Sequence, residues 1–303
     1  MARTGRPADP TDDPSAALPA SLKRTDPDPR SPARLRAALA GVSALLIDVD
    51  GVLVLRGAPI PGSAEAIARL TERGVPFRLL TNTSLMSRAG LADRLRGIGI
   101  RVEPESIVSC LSASARLAAV RWPGRPLFVF ATPEALREFD GQRVLPEAQS
   151  ADDAAAVIVG DAERGFTFDR LNAAFRLVRS GARLVAMHRN PWWSAEDGIR
   201  LDSGSFVRAL EYATDRRALI VGKPARAFYR AAIESLGVPA EHVAMVGDDL
   251  VADVGGASRA GLRSILVLTG RTTAAALGAP RARGAGVPDG VAPSLAEVVA
   301  ALD

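Results

Sequence analysis

One cysteine, Cys110, in 303 residues leaves no internal disulfide and no multi-cysteine zinc site. No apolar run approaches the ~18–20 residues that cross a bilayer. The N-terminal MARTGRPADP is polar, with no apolar segment to serve as a secretory signal. No membrane partner is expected, and the reducing cytoplasm is the expected compartment. Aromatics make up only 5%, and the first is Phe77. Residues 1–35 hold seven of the 21 prolines and no aromatic, so they are read as a disordered tail that cannot bury enough to offset its ordering entropy. Lysine is the most telling scarcity. Of 38 Lys and Arg residues only Lys23, in that tail, and Lys223 are lysine. A lone survivor is compatible with drift. It is equally what a position needing a compact point charge would show, since a planar guanidinium does not replace one.

The sequence pI of about 9.9 suggests nucleic acid, but the net charge is only +4 and the basic residues are scattered among acids. No nucleic-acid partner is expected. At 48% apolar and 24% charged, the composition is that of a globular chain with room for two domains. From about residue 40, short apolar runs alternate with helical patterns. Strands are predicted at 43–47, 75–80, 218–221, 242–246 and 264–268, with helices at 62–73, 87–97, 225–236, 250–260 and 294–302. Continuous apolar strands separated by helices imply a parallel sheet covered on both faces. The middle repeats the alternation by itself. Strands are predicted at 127–130, 155–159 and 184–187, with a helix at 167–180 whose Phe168, Leu171, Phe175 and Val178 share one side. The parse is an α/β core at 36–105 and 201–303, a doubly wound parallel sheet, interrupted by a second α/β unit at 106–200. Residues 270–290 read as a mobile loop.

Four short segments each follow a predicted core strand, at the edge where doubly wound sheets bind ligands. In Ile47-Asp48-Val49-Asp50-Gly51, two carboxylates at i and i+2 point to one side of an extended chain. They suit a divalent cation plus a carboxylate nucleophile with an acid/base partner, although Asp-Gly is also an ordinary turn. In Thr81-Asn82-Thr83-Ser84, a hydroxyl and main-chain N–H groups can hold phosphate oxygens; a polar turn or helix cap is the plainer account. Val221-Gly222-Lys223-Pro224 aims the lone lysine at the sheet edge. Gly247-Asp248-Asp249, with Asp253 about a helical turn later, offers hard oxygen ligands of the kind Mg²⁺ takes, beyond what helix capping requires.

Each segment is ordinary by itself; their order, DxDGV, T-N, K-P and GDDxxxD, is not. The chain resembles the phosphatases of the haloacid dehalogenase superfamily over about 40–303. The long insert between the T-N and K-P segments matches the C2-type cap class. The stretches VGKPARAFY and MVGDDLVADVGGASRAG are similar to the branch containing phospholysine phosphohistidine inorganic pyrophosphate phosphatase. The resemblance implies a Rossmann-like core, Mg²⁺ as cofactor and a small phosphorylated metabolite as substrate. It implies that Asp48 is the nucleophile and that Asp50 is the acid and then the base. Thr81, Asn82 and Lys223 would hold the phosphoryl group. Asp48, Asp50 (through its carbonyl) and Asp248 would hold the metal, and Asp249 and Asp253 would orient the metal waters or Lys223. A phospho-aspartate regulatory module and a phosphomutase on the same scaffold are the alternatives.

Several residues keep two readings. His188 and Trp192-Trp193 follow a predicted cap strand. They read either as substrate-selecting groups, with His188 binding substrate, or as packing, with Trp192 and Trp193 at a subunit contact. A homodimer through the cap stays open. His242 reads as a surface residue and Cys110 as a small buried one. Gly255-Gly256 is odd for a helix and is expected to mark its close packing on the sheet.

Overall fold

The computed structural model describes residues 28–146, 154–195, 198–278 and 284–302. Among these the strands are β1 (Ala44–Ile47), β2 (Val54–Leu55), β3 (Ala58–Pro59), β4 (Phe77–Thr81), β5 (Ile107–Ser109), β6 (Leu127–Phe130), β7 (Ala156–Val159), β8 (Arg183–Ala186), β9 (Trp192–Ala195), β10 (Gly198–Leu201), β11 (Leu219–Ile220), β12 (Val243–Gly247), β13 (Arg263–Val267) and β14 (Gly290–Ala292). The helices are α1 (Pro32–Leu39), α2 (Ser63–Glu72), α3 (Arg88–Gly97), α4 (Cys110–Arg121), α5 (Phe168–Arg179), α6 (Ser203–Thr214), α7 (Arg226–Leu236), α8 (Gly255–Ala260) and α9 (Leu295–Ala300).

The core is a six-stranded, all-parallel sheet in the order β14-β13-β12-β1-β4-β5. β1 lies at its centre because its four residues are apolar and wholly buried, which only a strand covered on both faces permits. Helices on one face bury Leu35, Ile67, Leu70, Leu91, Val298 and their neighbours; α7 and α8 cover the other with Phe228, Tyr229, Ala232 and Ala257. The chain leaves β1 toward β4 and β5, then returns to build β12, β13 and β14 on the other side. That reversal places a crevice beyond the carboxyl end of β1. Ile47 pairs with both Val246 of β12 and Leu79 of β4, so three loops leave the sheet side by side.

A second parallel sheet, β11-β8-β7-β6, is packed by α4 on one face and by α5 and α6 on the other. Two expectations change here. The strand before Lys223 is not a core strand. Leu219 and Ile220 pair with Val185 and Ala186 at the edge of the second sheet. α6 also packs there, its Val207 and Leu210 buried with Val157 and Leu177. A boundary at residue 200 therefore cuts this sheet from its last helix and strand. A four-residue apolar run reads alike in either sheet; only pairing distinguishes them.

Other differences are local. α1 starts at Pro32, capped by Ser31, whose hydroxyl accepts the Arg34 N–H, and it buries Leu35, so the tail cannot extend to 35. The rest of that expectation, residues 1–27, lies outside the described residues. On α5 the buried stripe is Ala173, Ala174, Leu177 and Val178; Phe168 is 77% exposed. Leu171, Phe175 and Val178 do pack on that core, with the small Ala173 and Ala174 beside them, so only Phe168 departs from the predicted side. Gly256 is explained by α7 rather than by the sheet: a Cβ there would overlap the ring of Tyr229. Two antiparallel hairpins, β2–β3 and β9–β10, were not anticipated. No helix among the described residues is long and apolar enough to cross a membrane.

Candidate active site

Asp48 follows β1 directly and is buried; its Oδ1 accepts the Val49 N–H at 2.7 Å. Asp50, two residues on, opens into a cavity of ≈ 470 Å³. Between them and the next strand the chain turns at Gly51, where φ is +80° and the N–H donates to the Val54 carbonyl at 2.7 Å. A Cβ at Gly51 would overlap the carboxylate of Asp248. Glycine is thus required twice, by backbone angle and by the aspartate against it.

Asp248 and Asp249 follow β12. A π-helical turn, Leu250–Val254, comes next, with the Val254 N–H reaching the Asp249 carbonyl at 3.1 Å. The wider turn brings Asp253 back under the strand end. Its Oδ2 accepts the N–H groups of Asp248 and Asp249 at 3.1 and 3.0 Å. Asp249 Oδ1 caps the turn, accepting from Val251 and Ala252 at 2.7 and 2.9 Å. Tyr229 supports the same turn by donating its hydroxyl to the Ala252 carbonyl at 2.6 Å.

Lys223 arrives from the second sheet and is 3% exposed. Asn82, at the end of β4, clamps its backbone: Oδ1 accepts the Lys223 N–H at 2.8 Å and Nδ2 donates to the Lys223 carbonyl at 3.0 Å. The ammonium lies 2.7 Å from Asp48 Oδ1 and 2.8 Å from Asp253 Oδ1. The Asn82 side chain thus locks the cap's last strand to the core, a role the sequence did not suggest. Thr81 is wholly buried and does not line the cavity; its Oγ1 accepts the Thr83 N–H at 3.0 Å. Asn82, Thr83 and Ser84 form that wall instead. Cys110 is buried beside them, donating to the Asn82 carbonyl, and burial pushes its thiol pKa up, consistent with a packing residue. His242 is exposed, also as expected.

Asp48, Asp248 and Asp253 offer carboxylate oxygens all within 4.8 Å of one another. Burial, then the charges of Asp248 and Asp50, pushes Asp48 up to about 7 against the pull of Lys223. Burial, then Asp253, does the same to Asp248, and burial, then Asp48, to Asp253, each to about 7. Burial also raises Asp50, with Lys223 opposing. Burial opposes the charge on Lys223, but Asp253 and Asp48 outweigh it and hold its pKa well above that of an ordinary lysine. Three buried carboxylates against one ammonium leave negative charge that a divalent cation would neutralise, and hard oxygens at this spacing fit one. Asp253 has its oxygens engaged by Lys223 and two N–H groups, which leaves Asp48 and Asp248 as the carboxylates freer to face an ion.

The opposite wall belongs to the second unit: Asp161, His188, Asn190, Trp192, Trp193 and Asp202. His188 does not stand ready for substrate. It is 2% exposed, its Nδ1 accepts the Asn190 N–H at 3.3 Å, and its Nε2 lies 3.2 Å from Ser203 Oγ and 3.4 Å from Ser84 Oγ. Burial depresses its pKa to about 4, so it is neutral and ties the wall together. Asp161 and Asp202 were missed. Asp161 comes one glycine after β7, a strand-end carboxylate like those of the core, which was the available signal; Asp202 caps α6, 3.6 Å from His188. Burial raises both, Asp202 to about 6. Arg271 was also missed, within the loop expected to be mobile. The part of that loop at 279–283 lies outside the described residues, but Arg271 lines the cavity and its N–H donates to Asp248 Oδ2 at 2.5 Å.

A parallel α/β core, an inserted α/β cap and a lysine set among strand-end aspartates define a phosphatase of the haloacid dehalogenase type. A haloacid dehalogenase-like hydrolase family model matches residues 45–144, and a second, HAD-hydrolase-like, matches residues 220–298. The chain is 38% identical over 234 residues to haloacid dehalogenase-like hydrolase domain-containing protein 2 of Bos taurus, covering 77% of this chain and 87% of that one. It is 34% identical over 240 residues to the phospholysine phosphohistidine inorganic pyrophosphate phosphatase of Xenopus laevis, covering 76% and 85%. Among solved structures, a p-nitrophenyl phosphatase from Archaeoglobus fulgidus superposes with a TM-score of 0.79 at 32% identity, covering 86% of this chain and 99% of that one. A glycerol phosphate phosphatase from Mycobacterium tuberculosis, in complex with calcium, gives 0.75 at 28%, covering 86% and 76%. The chain belongs to the haloacid dehalogenase-like hydrolase family, and it is a phosphatase.

Proposed function

We propose that this phosphatase hydrolyses a small phosphorylated metabolite through an aspartyl-phosphate on Asp48, with Mg²⁺ as its cofactor. The observation that carries the reading is the ammonium of Lys223 lying between Asp48 and Asp253, with Asp248 completing a tight group of carboxylates. Phosphoryl transfer needs an in-line nucleophile and neutralised charge on the equatorial oxygens, and little else.

Asp48 and Asp248 would hold the cation, with the main-chain carbonyl of Asp50. When bound it offsets charge on the phosphoryl oxygens and on the carboxylates around them. The Asp48 carboxylate attacks phosphorus, and the bond to the leaving oxygen breaks. Asp50, whose raised pKa favours the protonated form, gives that oxygen its proton. The same carboxylate then takes a proton from water, which attacks the phosphoryl group and frees Asp48. Lys223 supports the developing charge, and the Asn82–Ser84 wall lies beside the same oxygens, with Thr81 buried behind it as a support for the turn. Asp253 holds Lys223 and the strand end in place. The cap wall closes over the leaving group.

The test is phosphate release from p-nitrophenyl phosphate and from a panel of phosphorylated metabolites, with Mg²⁺ and with EDTA. Activity is expected to need both Mg²⁺ and Asp48. Turnover unchanged in Asp48→Asn, or indifferent to EDTA, contradicts the reading. A stable phosphoryl-enzyme with no turnover makes the chain a regulatory module, and transfer between positions of a sugar phosphate makes it a mutase.

A further inference from the structure

The loop after β13 reaches both halves of the molecule at one residue. Thr269 Oγ1 donates to the Gly51 carbonyl at 2.5 Å, which seats the loop beside the DxDG turn. Arg271 then faces two ways. Its N–H donates to Asp248 Oδ2 at 2.5 Å, and its Nε lies 3.3 Å from Asp249 Oδ2. Its guanidinium stacks over the indole of Trp192, 4.7 Å from the ring centre. Trp192 starts β9 of the cap hairpin, so Arg271 bridges it to the two aspartates. A guanidinium suits the post: one face covers an aromatic ring while its edge donates to a carboxylate, which an ammonium cannot do at once.

We propose that Arg271 is a positioning residue that makes the placement of Asp248 depend on the cap hairpin through Trp192. The inference rests on the phosphatase reading above. With the hairpin down, the stack on Trp192 fixes the Arg271 side chain, the salt bridge to Asp249 holds, and the Arg271 N–H stays aimed at Asp248. With the stack lost, the loop has one anchor fewer and Asp248 is less well held. Cap contact with the leaving group is thereby converted into order at the phosphoryl-transfer end of the cavity.

The experiment is a double-mutant cycle on the full chain with Arg271→Lys, Trp192→Leu and both together, plus Trp192→Phe. Two readouts are used: kcat and KM for p-nitrophenyl phosphate at saturating Mg²⁺, and the Mg²⁺ midpoint of the thermal shift without substrate. Each single change is expected to lower kcat about two- to fivefold, the worth of one exposed cation–π contact. The double variant should be no worse than the poorer single one. Trp192→Phe should recover most of the loss, because a ring is kept. Trp192→Leu, which removes no metal-facing carboxylate, should raise the Mg²⁺ midpoint by a similar factor. Additive losses, a change in KM alone, or an unmoved Mg²⁺ midpoint in Trp192→Leu would overturn the proposal. Thermal denaturation reports whether Trp192→Leu is folded; if it is not, Arg271→Lys and Trp192→Phe decide on the same criteria. Asp48→Asn is the control for the parent reading. If it stays active, that reading fails; if it is dead while the cycle is additive, only the role of Arg271 fails.

Discussion

Lys223 and Asp48 come from different sheets, yet their charged atoms meet at 2.7 Å. Asp48 belongs to the core and the ammonium to the edge of the cap sheet, so each half of the fold supplies part of the site. Removing the cation strands three buried carboxylates. Lys223→Met is expected to lower kcat by about 10²–10³-fold and to destabilise the metal-free protein by about 3–5 kcal/mol. Lys223→Arg should not rescue, because a planar fork does not reproduce a point charge placed between Asp48 and Asp253. Kinetics and urea denaturation check both parts; wild-type kcat in either variant would contradict the assignment.

Asn82 should matter through Lys223. Its side chain makes both hydrogen bonds to the Lys223 backbone. Asn82→Ala leaves those groups without partners, which costs about 1–3 kcal/mol, and lets the ammonium wander, which should lower kcat about tenfold or more. A kinetic effect on KM alone would point to substrate contact instead.

The carboxylate cluster predicts a pH dependence with a definite sign. Asp48, Asp248 and Asp253 are held near about 7 in the folded chain, against an ordinary 3.8. The folded state therefore binds protons more tightly than the unfolded one. The associated stability is present at low pH and is lost as pH rises through the folded pKa. Tm of EDTA-treated protein should fall between about pH 4 and pH 7, and Mg²⁺ should raise Tm more at the upper pH, where it no longer competes with protons. A metal-free Tm that rises over this range contradicts the arrangement.

Gly51→Ala tests the packing of the DxDG turn on Asp248. The added methyl meets the Asp248 carboxylate, and the left-handed backbone disfavours any side chain. The expected destabilisation is roughly 1–3 kcal/mol, with a larger loss of Mg²⁺ response than of stability. Equal Mg²⁺ titrations of variant and wild type would show that the contact is incidental.

The core and its strand-end aspartates were legible because a buried parallel strand must be a continuous apolar run, and whatever follows it must lie at the carboxyl edge. Asp48, Asp50 and Asp248 stood out in this way, whereas Lys223 stood out chiefly as the one lysine of the foldable part. Sheet membership did not, since Leu219-Ile220 is equally apolar in either sheet and only its pairing with Val185 and Ala186 decides. His188 kept two readings because a sequence does not show that Asn190, Ser84 and Ser203 surround its nitrogens. Asn82 holds the backbone of Lys223, and Arg271 meets Asp248, Asp249 and Trp192 far away in the chain; such contacts leave no periodic trace.

The most direct test is to catch the covalent intermediate. In Asp50→Asn, attack by Asp48 should survive with an activated ester such as p-nitrophenyl phosphate, while water activation is lost. Acid quenching followed by peptide mass spectrometry is predicted to find one phosphoryl group on Asp48, and none when Mg²⁺ is omitted. Product formation with no phosphorylated peptide in that variant, or a phosphoryl group carried on another residue, would contradict the account.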